Sequence, residues 1–332
     1  MRMRVGWFNV ENLFTRYAFG NPVSEALPYD RQVIAVGVTA VDRGTDGADG
    51  NIALAGMQRD NTARVILDML PDVLGVSEVE NLAALRIFNQ QYLSHYFDRL
   101  FLVDGNDGRG IDVGLCIRKG FQAQVLGLRS HTHETLEPGQ SVEWGVVSDD
   151  GGPVYLARNA LFSRDCLEVD VQIAGRVVTF LCNHFKSQGK SARREQLPPD
   201  ELRARQAARV AELAREAQAA GKLPIVLGDL NVDNTHPQRG QSLAALMNSG
   251  LSDSFGDLPP DERWTHYYVV GQDVSRLDYI LHDPTLRRVE RSINRRGITL
   301  KCRQYTGERY PTVGYAHNAA SDHAGLCVEF AV

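Results

Sequence analysis

Hydrophobic residues along this chain fall into short, continuous, β-branched runs, and one run after another stops abruptly at polar residues. The clearest is Leu223-Pro224-Ile225-Val226-Leu227, which ends in Gly228-Asp229-Leu230-Asn231. A run that apolar predicts a strand buried on both faces. Its polar end then emerges at the rim of a rigid sheet, where Asp229 can face water or a metal. Gly228 would permit close approach or an unusual backbone angle just before the polar pair. The arrangement recurs. Val5 to Asn9 leads into Asn9-Val10-Glu11-Asn12, Val73 to Ser77 leads into Glu78, and Val177 to Cys182 leads into Asn183-His184-Phe185-Lys186-Ser187.

Helical spacing predicts helices over Gln58 to Leu70, stopped by Pro71, over Leu82 to Phe97, and from Pro199 to about Ala220, stopped by Gly221. In the last of these Leu202, Val210, Leu213 and Ala217 form an apolar side, and the arginines read as a solvated face. Leu243 to Met247 is a short helix candidate. Ile111 to Arg118, Arg276 to Leu281 and Gly325 to Phe330 read as further strands, with Asp278 on one face of the second. Leu167 to Ile173 and Val177 to His184, joined by Ala174-Gly175-Arg176, form an expected antiparallel hairpin. Thr15 to Asn51 and His131 to Pro153 lack clear periodicity and read as long loops, a length that is often functional.

With no repeat and no convincing linker, residues 1–332 read as a single domain. The many strands and interspersed helices predict an α/β protein of two packed sheets flanked by helices. The net charge of −5 neither announces nor excludes a nucleic-acid substrate, because a basic patch can sit on an acidic body. Such a patch is offered by Leu286 to Pro311, with Arg287, Arg288, Arg291, Arg295, Arg296, Lys301, Arg303 and Arg309. It would track a phosphate backbone or else be a solvated loop. The five scattered cysteines include no C-x-x-C pair and are expected to be buried, reduced thiols. The amino terminus lacks a signal-peptide core and no run is long enough to span a bilayer. The expectation is a soluble, cytoplasmic monomer, or a secreted one if a leader has been removed.

The polar residues at strand ends carry the chemistry. Asn9, Glu78, His184, Asp229, Asn231, Asp278, Asp322 and His323 would form an oxygen-rich pocket with two imidazoles if those ends converge. Oxygen donors favour hard cations such as Mg²⁺, Mn²⁺ or Ca²⁺, whereas zinc would want more histidine or cysteine. Glu78 fits a ligand of such an ion, and Asp229 could orient an attacking water. That is equipment for metal-assisted phosphoester hydrolysis.

Six segments occur in the order found in the endonuclease/exonuclease/phosphatase family, which the chain resembles over residues 5–330. They are Phe8-Asn9-Val10-Glu11-Asn12-Leu13-Phe14, Ser77-Glu78-Val79, Asn183-His184-Phe185-Lys186-Ser187, Gly228-Asp229-Leu230-Asn231, Arg276-Leu277-Asp278-Tyr279-Ile280 and Ser321-Asp322-His323. The resemblance implies a four-layer α-β-β-α sandwich. It puts Asn9, Glu78 and Asp322 at the metal, with Glu78 the principal ligand. It has Asp229 and Asn231 position the water and the scissile phosphate, and His323, oriented by Asp278, contact the phosphate or accept a proton. His184 takes the place of a second phosphate-contacting or acidic histidine, where abasic-site enzymes carry a tyrosine. The role of Glu11 stays open. Lys186 shares a face with His184 if the strand continues, and would then bind phosphate; Arg109 would do so from its loop. The resulting expectation is a Mg²⁺- or Mn²⁺-dependent phosphodiesterase, first of all a nuclease acting on DNA or RNA. A phosphatase or a lipid or small-molecule phosphodiesterase is the alternative within the fold. An inactive binding protein is the alternative of another class, against which the intact acids and histidines argue.

Overall fold

Each apolar run becomes a strand, and the pairing order brings their polar ends to one rim. The structure, a computed structural model, describes residues 1–14, 16–17, 33–34, 52–108, 110–149, 152–189, 197–315 and 318–332. In chain order the first elements are β1 (Arg2–Leu13), β2 (Arg16–Tyr17), β3 (Val33–Ile34), α1 (Ile52–Met69), β4 (Val73–Val79), α2 (Leu82–Gln91) and β5 (Phe97–Leu102). Next come β6 (Asp112–Arg118), β7 (Gln124–Arg129), β8 (Glu143–Asp149), β9 (Gly152–Arg158), β10 (Cys166–Ile173) and β11 (Arg176–His184). The remainder is α3 (Pro199–Ala219), β12 (Leu223–Asp229), α4 (Ala244–Met247), β13 (Ser252–Asp253), β14 (His266–Tyr268), β15 (Asp273–Ser275), β16 (Asp278–His282), β17 (Arg287–Asn294) and β18 (Gly325–Ala331).

One sheet runs β17-β18-β1-β4-β6-β5 and the other β13-β16-β12-β11-β10-β7. Between them lies a core that includes Trp7, Leu115, Val169, Phe180 and Leu227. Val65, Ile66 and Met69 of α1 with Leu85 and Phe88 of α2 cover the outer face of the first sheet. Val210 and Leu213 of α3 with Leu246 of α4 cover that of the second. The result is the four-layer α-β-β-α sandwich. Gly75 belongs to its packing: a Cβ there would lie 2.7 Å from the Trp7 ring and 3.0 Å from Leu227.

Several expectations need correction. The helix begun at Leu82 ends at Gln91, and Ser94 and His95 take left-handed backbone angles (φ 50° and 56°) before Phe97 opens β5. The second predicted loop contains β8, which pairs with β9 as a hairpin whose Trp144 and Val146 are exposed. Of the first, the described residues are those of β2 and β3, which pair with each other. On α3, Arg205 and Arg209 meet glutamates near the surface, but Arg203 is fully buried and donates to the Lys186 carbonyl at 2.8 Å. All five cysteines are buried and free.

The basic segment is built into the fold. Its first part is β17, an edge strand beside β18. Arg288 and Arg291 both pair with Asp257, and Arg296 reaches Asp68 at 2.9 Å while lying over the Tyr310 ring. Arg295 stacks on Trp264, 4.2 Å from the ring centre, and donates to the Trp264 carbonyl. Arg295→Ala is therefore expected to destabilise the protein by about 1–3 kcal/mol, by leaving that carbonyl without its charged donor. A denaturant titration checks this, and an unchanged midpoint would contradict it.

A second ionic cluster ties β7, β10 and α3 together. His131 lies between Glu134 (2.7 Å from Nδ1) and Glu168 (2.9 Å from Nε2), with Arg209 on Glu134 and Arg129 on Glu168. Burial works against the imidazolium, but the two carboxylates outweigh it and push His131 up to about 9. Burial likewise opposes the charge on Glu134 and Glu168, yet His131 and the arginines hold both down at about 2. Because the folded pKa of His131 exceeds its ordinary 6.5, its contribution is complete below that pH and fades as pH rises through about 9. The glutamates contribute above their ordinary 4.5 and lose that contribution as pH falls toward about 2. The cluster's contribution is thus expected to be flat from about 4.5 to 6.5 and to decline on either side. His131→Gln should remove the alkaline decline, as read from denaturation midpoints across pH.

Candidate active site

The rim is assembled from strand ends of both sheets. β1 and β4 run parallel with Asn9 opposite Ser77, one residue before Glu78. β11 and β12 run parallel with His184 opposite Asp229, and antiparallel β16 starts with Asp278 opposite Asp229. His323 lies just before β18, bridged to His266 at the start of β14. Parallel strands end where antiparallel ones begin, so carboxylates and imidazoles from the whole length of the chain meet.

Asp229 is the centre of the cluster. Its Oδ2 accepts from Asn9 Nδ2 at 3.1 Å and lies 3.4 Å from His184 Nε2 and 3.8 Å from His323 Nε2. Its Oδ1 accepts the Asn231 N–H at 2.9 Å. Gly228 serves by close approach: a Cβ there would lie 3.0 Å from the Asn183 carbonyl oxygen. Burial, helped by the neighbouring negative charges of Asp278 and Glu78 and opposed by His323, pushes Asp229 up to about 7. A carboxylate held there is suited to accept a proton near neutral pH.

Asp278 is fully buried and holds two donors, Trp7 Nε1 at 2.8 Å on one oxygen and His323 Nδ1 at 2.7 Å on the other. Its own N–H donates to Thr265 Oγ1 at 3.0 Å. Burial opposes charge on His323, but Asp278, Asp229 and Asp322 outweigh it and raise this imidazole well above the usual range. The His323 N–H donates to Ser321 Oγ at 3.0 Å, and that hydroxyl donates to the Asn9 carbonyl at 2.8 Å. Asp322 is half-exposed, and its N–H is accepted by Glu11 Oε2 at 3.0 Å, which gives Glu11 a bracing contact.

Glu78 stands at the edge of this cluster. One oxygen accepts the Asn12 N–H at 3.2 Å, and the other lies 4.0 Å from His184 Nε2. Glu11, Asn12, Glu78 and Asn231 all have left-handed backbone angles, with φ between 48° and 64°. Such angles cost non-glycine residues energy and persist where surrounding structure enforces them. Here Arg59 does part of that, donating to the carbonyls of Val10, Glu11 and Asn12. The donors fit a hard divalent cation: carboxylate oxygens of Glu78 and Asp322, and the carboxamide oxygen of Asn9. Asn12 adds a buried Oδ1 without a hydrogen-bond partner among the described residues, on the residue that holds Glu78.

The two expected phosphate contacts, Lys186 and Arg109, stand differently. Strand β11 ends at His184, so the condition for Lys186 to share its face is not met, and its ammonium donates to Ser187 Oγ and Gly189 O in its own turn. Arg109 lies outside the described residues. Asn231 is present, with Nδ2 donating to the Phe185 carbonyl at 3.0 Å. Sequence reasoning missed Trp7, Thr265 and His266. The last sits in a three-residue strand, too short for any period to show, and its one signal was chemical: Trp264-Thr265-His266 set between turn-rich stretches.

The family model for the Endonuclease/Exonuclease/phosphatase family matches residues 51–323. No curated protein sequence matches the chain. Among solved structures, an endonuclease/exonuclease/phosphatase family protein from Bacteroides thetaiotaomicron is 18% identical with a TM-score of 0.60, covering 99% of this chain and 97% of that one. A mannosyl-6-phosphatase from the same organism is 16% identical with a TM-score of 0.59, covering 99% and 100%. The human Nocturnin catalytic domain with bound sulfate is 13% identical with a TM-score of 0.56, covering 99% and 94%.

Proposed function

Since the chain belongs to the endonuclease/exonuclease/phosphatase family, whose members are typically phosphoester hydrolases, we propose that it is a divalent-cation-dependent phosphodiesterase acting on nucleic acid. One observation carries the reading: Asp229 and the Asp278-held His323 face each other across a rim that also presents Glu78 and His184. Asn9, Glu78 and Asp322 would hold the cation, Mg²⁺ or Mn²⁺. When bound, it supplies Lewis-acid neutralisation of phosphoryl charge. Asp229, fixed by Asn9 and Asn231, accepts the proton of the attacking water. His323, kept charged by Asp278, donates to a phosphoryl oxygen as negative charge develops, and His184 adds a second donor on the same side.

A second reading, a phosphatase of small phosphorylated molecules, is favoured by the basic segment, in which Arg288, Arg291, Arg295 and Arg296 are each engaged by acids or carbonyls of the fold. The mannosyl-6-phosphatase among the similar folds has that kind of substrate in its name. Activity with Mg²⁺ or Mn²⁺ on plasmid, linear duplex, single strands, RNA, bis(p-nitrophenyl) phosphate and p-nitrophenyl phosphate separates them. Turnover of diesters supports the first reading and of monoesters alone the second. Turnover of none overturns both.

A further inference from the structure

Beside the oxygen-rich edge lies a second set of donors of different chemistry. His266, Asp322 and His323 present ligand atoms that all lie within 4.8 Å of one another. His266 Nε2 is 3.6 Å from Asp322 Oδ2, and His323 Nε2 is 3.8 Å from Asp322 Oδ1. A tetrahedral ion with bonds of ~2.0–2.1 Å to nitrogen and oxygen needs ligand atoms about 3.3–3.4 Å apart. The two nitrogen-to-carboxylate spacings, which run to different oxygens of Asp322, exceed this by a few tenths of an ångström, and Asp322, with 39% of its side chain exposed, has room to turn one oxygen toward both rings.

Both rings are already turned for the task. His323 Nδ1 is held by Asp278 at 2.7 Å and His266 Nδ1 meets Ser275 Oγ at 3.3 Å, so both rings direct Nε2 at the same carboxylate. An imidazole fixed through one nitrogen by an outer partner and free to ligate with the other is the usual arrangement at protein-bound transition metals. The neighbouring set Asp229, Asp278 and His323 also meets the distance condition, but its atoms are joined by the Asp278–His323 hydrogen bond. Two imidazoles and one carboxylate suit Zn²⁺, Co²⁺, Ni²⁺ or Cu²⁺ far better than Mg²⁺ or Ca²⁺.

We propose that His266, Asp322 and His323 form a transition-metal site that shares Asp322 with the Glu78 site, and that Zn²⁺ bound there inhibits the enzyme. The ion takes the place of the proton on His323 Nε2, which leaves to solvent, and so removes the charged donor for the phosphoryl group. It also draws Asp322 away from the hard cation. The inhibition rests on the hydrolase reading given above; the site itself does not.

The test uses tag-free, metal-free protein and Co²⁺ as a spectroscopic probe, with Zn²⁺ competing it out. The five cysteines are buried, so thiolate ligation is not expected to contribute, and its near-ultraviolet charge-transfer band would reveal it if it did. Wild type should give visible d–d absorption at one equivalent, lost on adding Zn²⁺. Glu78→Gln should retain it, and His266→Ala should weaken Co²⁺ and Zn²⁺ binding at least tenfold. His266→Gln, which can still bond Ser275, covers the case in which the alanine variant fails to fold. With Mg²⁺ saturating, the Zn²⁺ concentration that halves each variant's own zinc-free rate should rise at least tenfold in the His266 variants. Equal Co²⁺ binding with and without His266, or its loss in Glu78→Gln instead, would overturn the site. Binding without inhibition would overturn the inhibition alone. A protein that binds Co²⁺ through His266 yet hydrolyses no phosphoester would sink the hydrolase reading and leave the site standing.

Discussion

His323→Ala is expected to lower kcat by roughly 10²–10³-fold, the loss typical of removing a fixed donor to developing charge. Asp278→Asn should fall in the same direction for a reason visible in its contacts. The carboxylate accepts from both the Trp7 indole and His323 Nδ1, one on each oxygen. A carboxamide has only one oxygen, so its NH₂ must face one of the two donors, and either His323 changes tautomer or the indole loses its partner. A loss of about 10²-fold follows if the imidazole can no longer be held charged. The double variant should be little worse than His323→Ala alone, because a carboxylate that works through an imidazole has nothing to do once the ring is gone. Steady-state kinetics on folded variants decides this. Losses that multiply would show that the two residues act separately.

Glu78→Gln is expected to remove several kcal/mol of cation-linked stabilisation, a drop of about 10²-fold or more in kcat/KM at fixed Mg²⁺. The substitution keeps size and one acceptor oxygen, so the Asn12 N–H contact can survive while the charge and the second oxygen are lost. Chelation by EDTA should abolish turnover in wild type, and Mg²⁺ or Mn²⁺ should restore it. Raising Mg²⁺ should recover part of the variant's activity, since a weakened ligand set is answered by mass action. Full activity of wild type in metal-free buffer would remove the hydrolase mechanism proposed above.

Most of this architecture was legible because burial on both faces of a sheet writes a continuous apolar run, and the end of such a run marks the rim. Leu223 to Asp229, Val73 to Val79 and the hairpin of β10 and β11 show that signal plainly. Elements that bury little wrote none. β8 carries exposed Trp144 and Val146, and β17 is an edge strand carrying Arg287, Arg288 and Arg291, so both read as loop. The end of α2 was missed because Ser94 and His95 turn the chain without glycine or proline. Within the site, residues at strand ends were found and those that brace them were not. Trp7 looked like core, and is, yet its indole nitrogen reaches Asp278. The arginines of 286–311 looked free because their partners, Asp68, Asp257 and Trp264, are remote in sequence.

Asn9 and Glu78 stand on one sheet, and His184, Asp229 and Asp278 on the other. The separation between these two groups is therefore gauged by the side chains stacked between the sheets, as a spacer block sets the jaws of a caliper. Interiors are dense and repack at a cost, so a methyl group added in that layer has to displace something. At Gly75 it would press on the Trp7 ring, whose far edge grips Asp278. A residue with no polar atom in its side chain and no access to substrate would then shift the alignment of His323, from inside the wall.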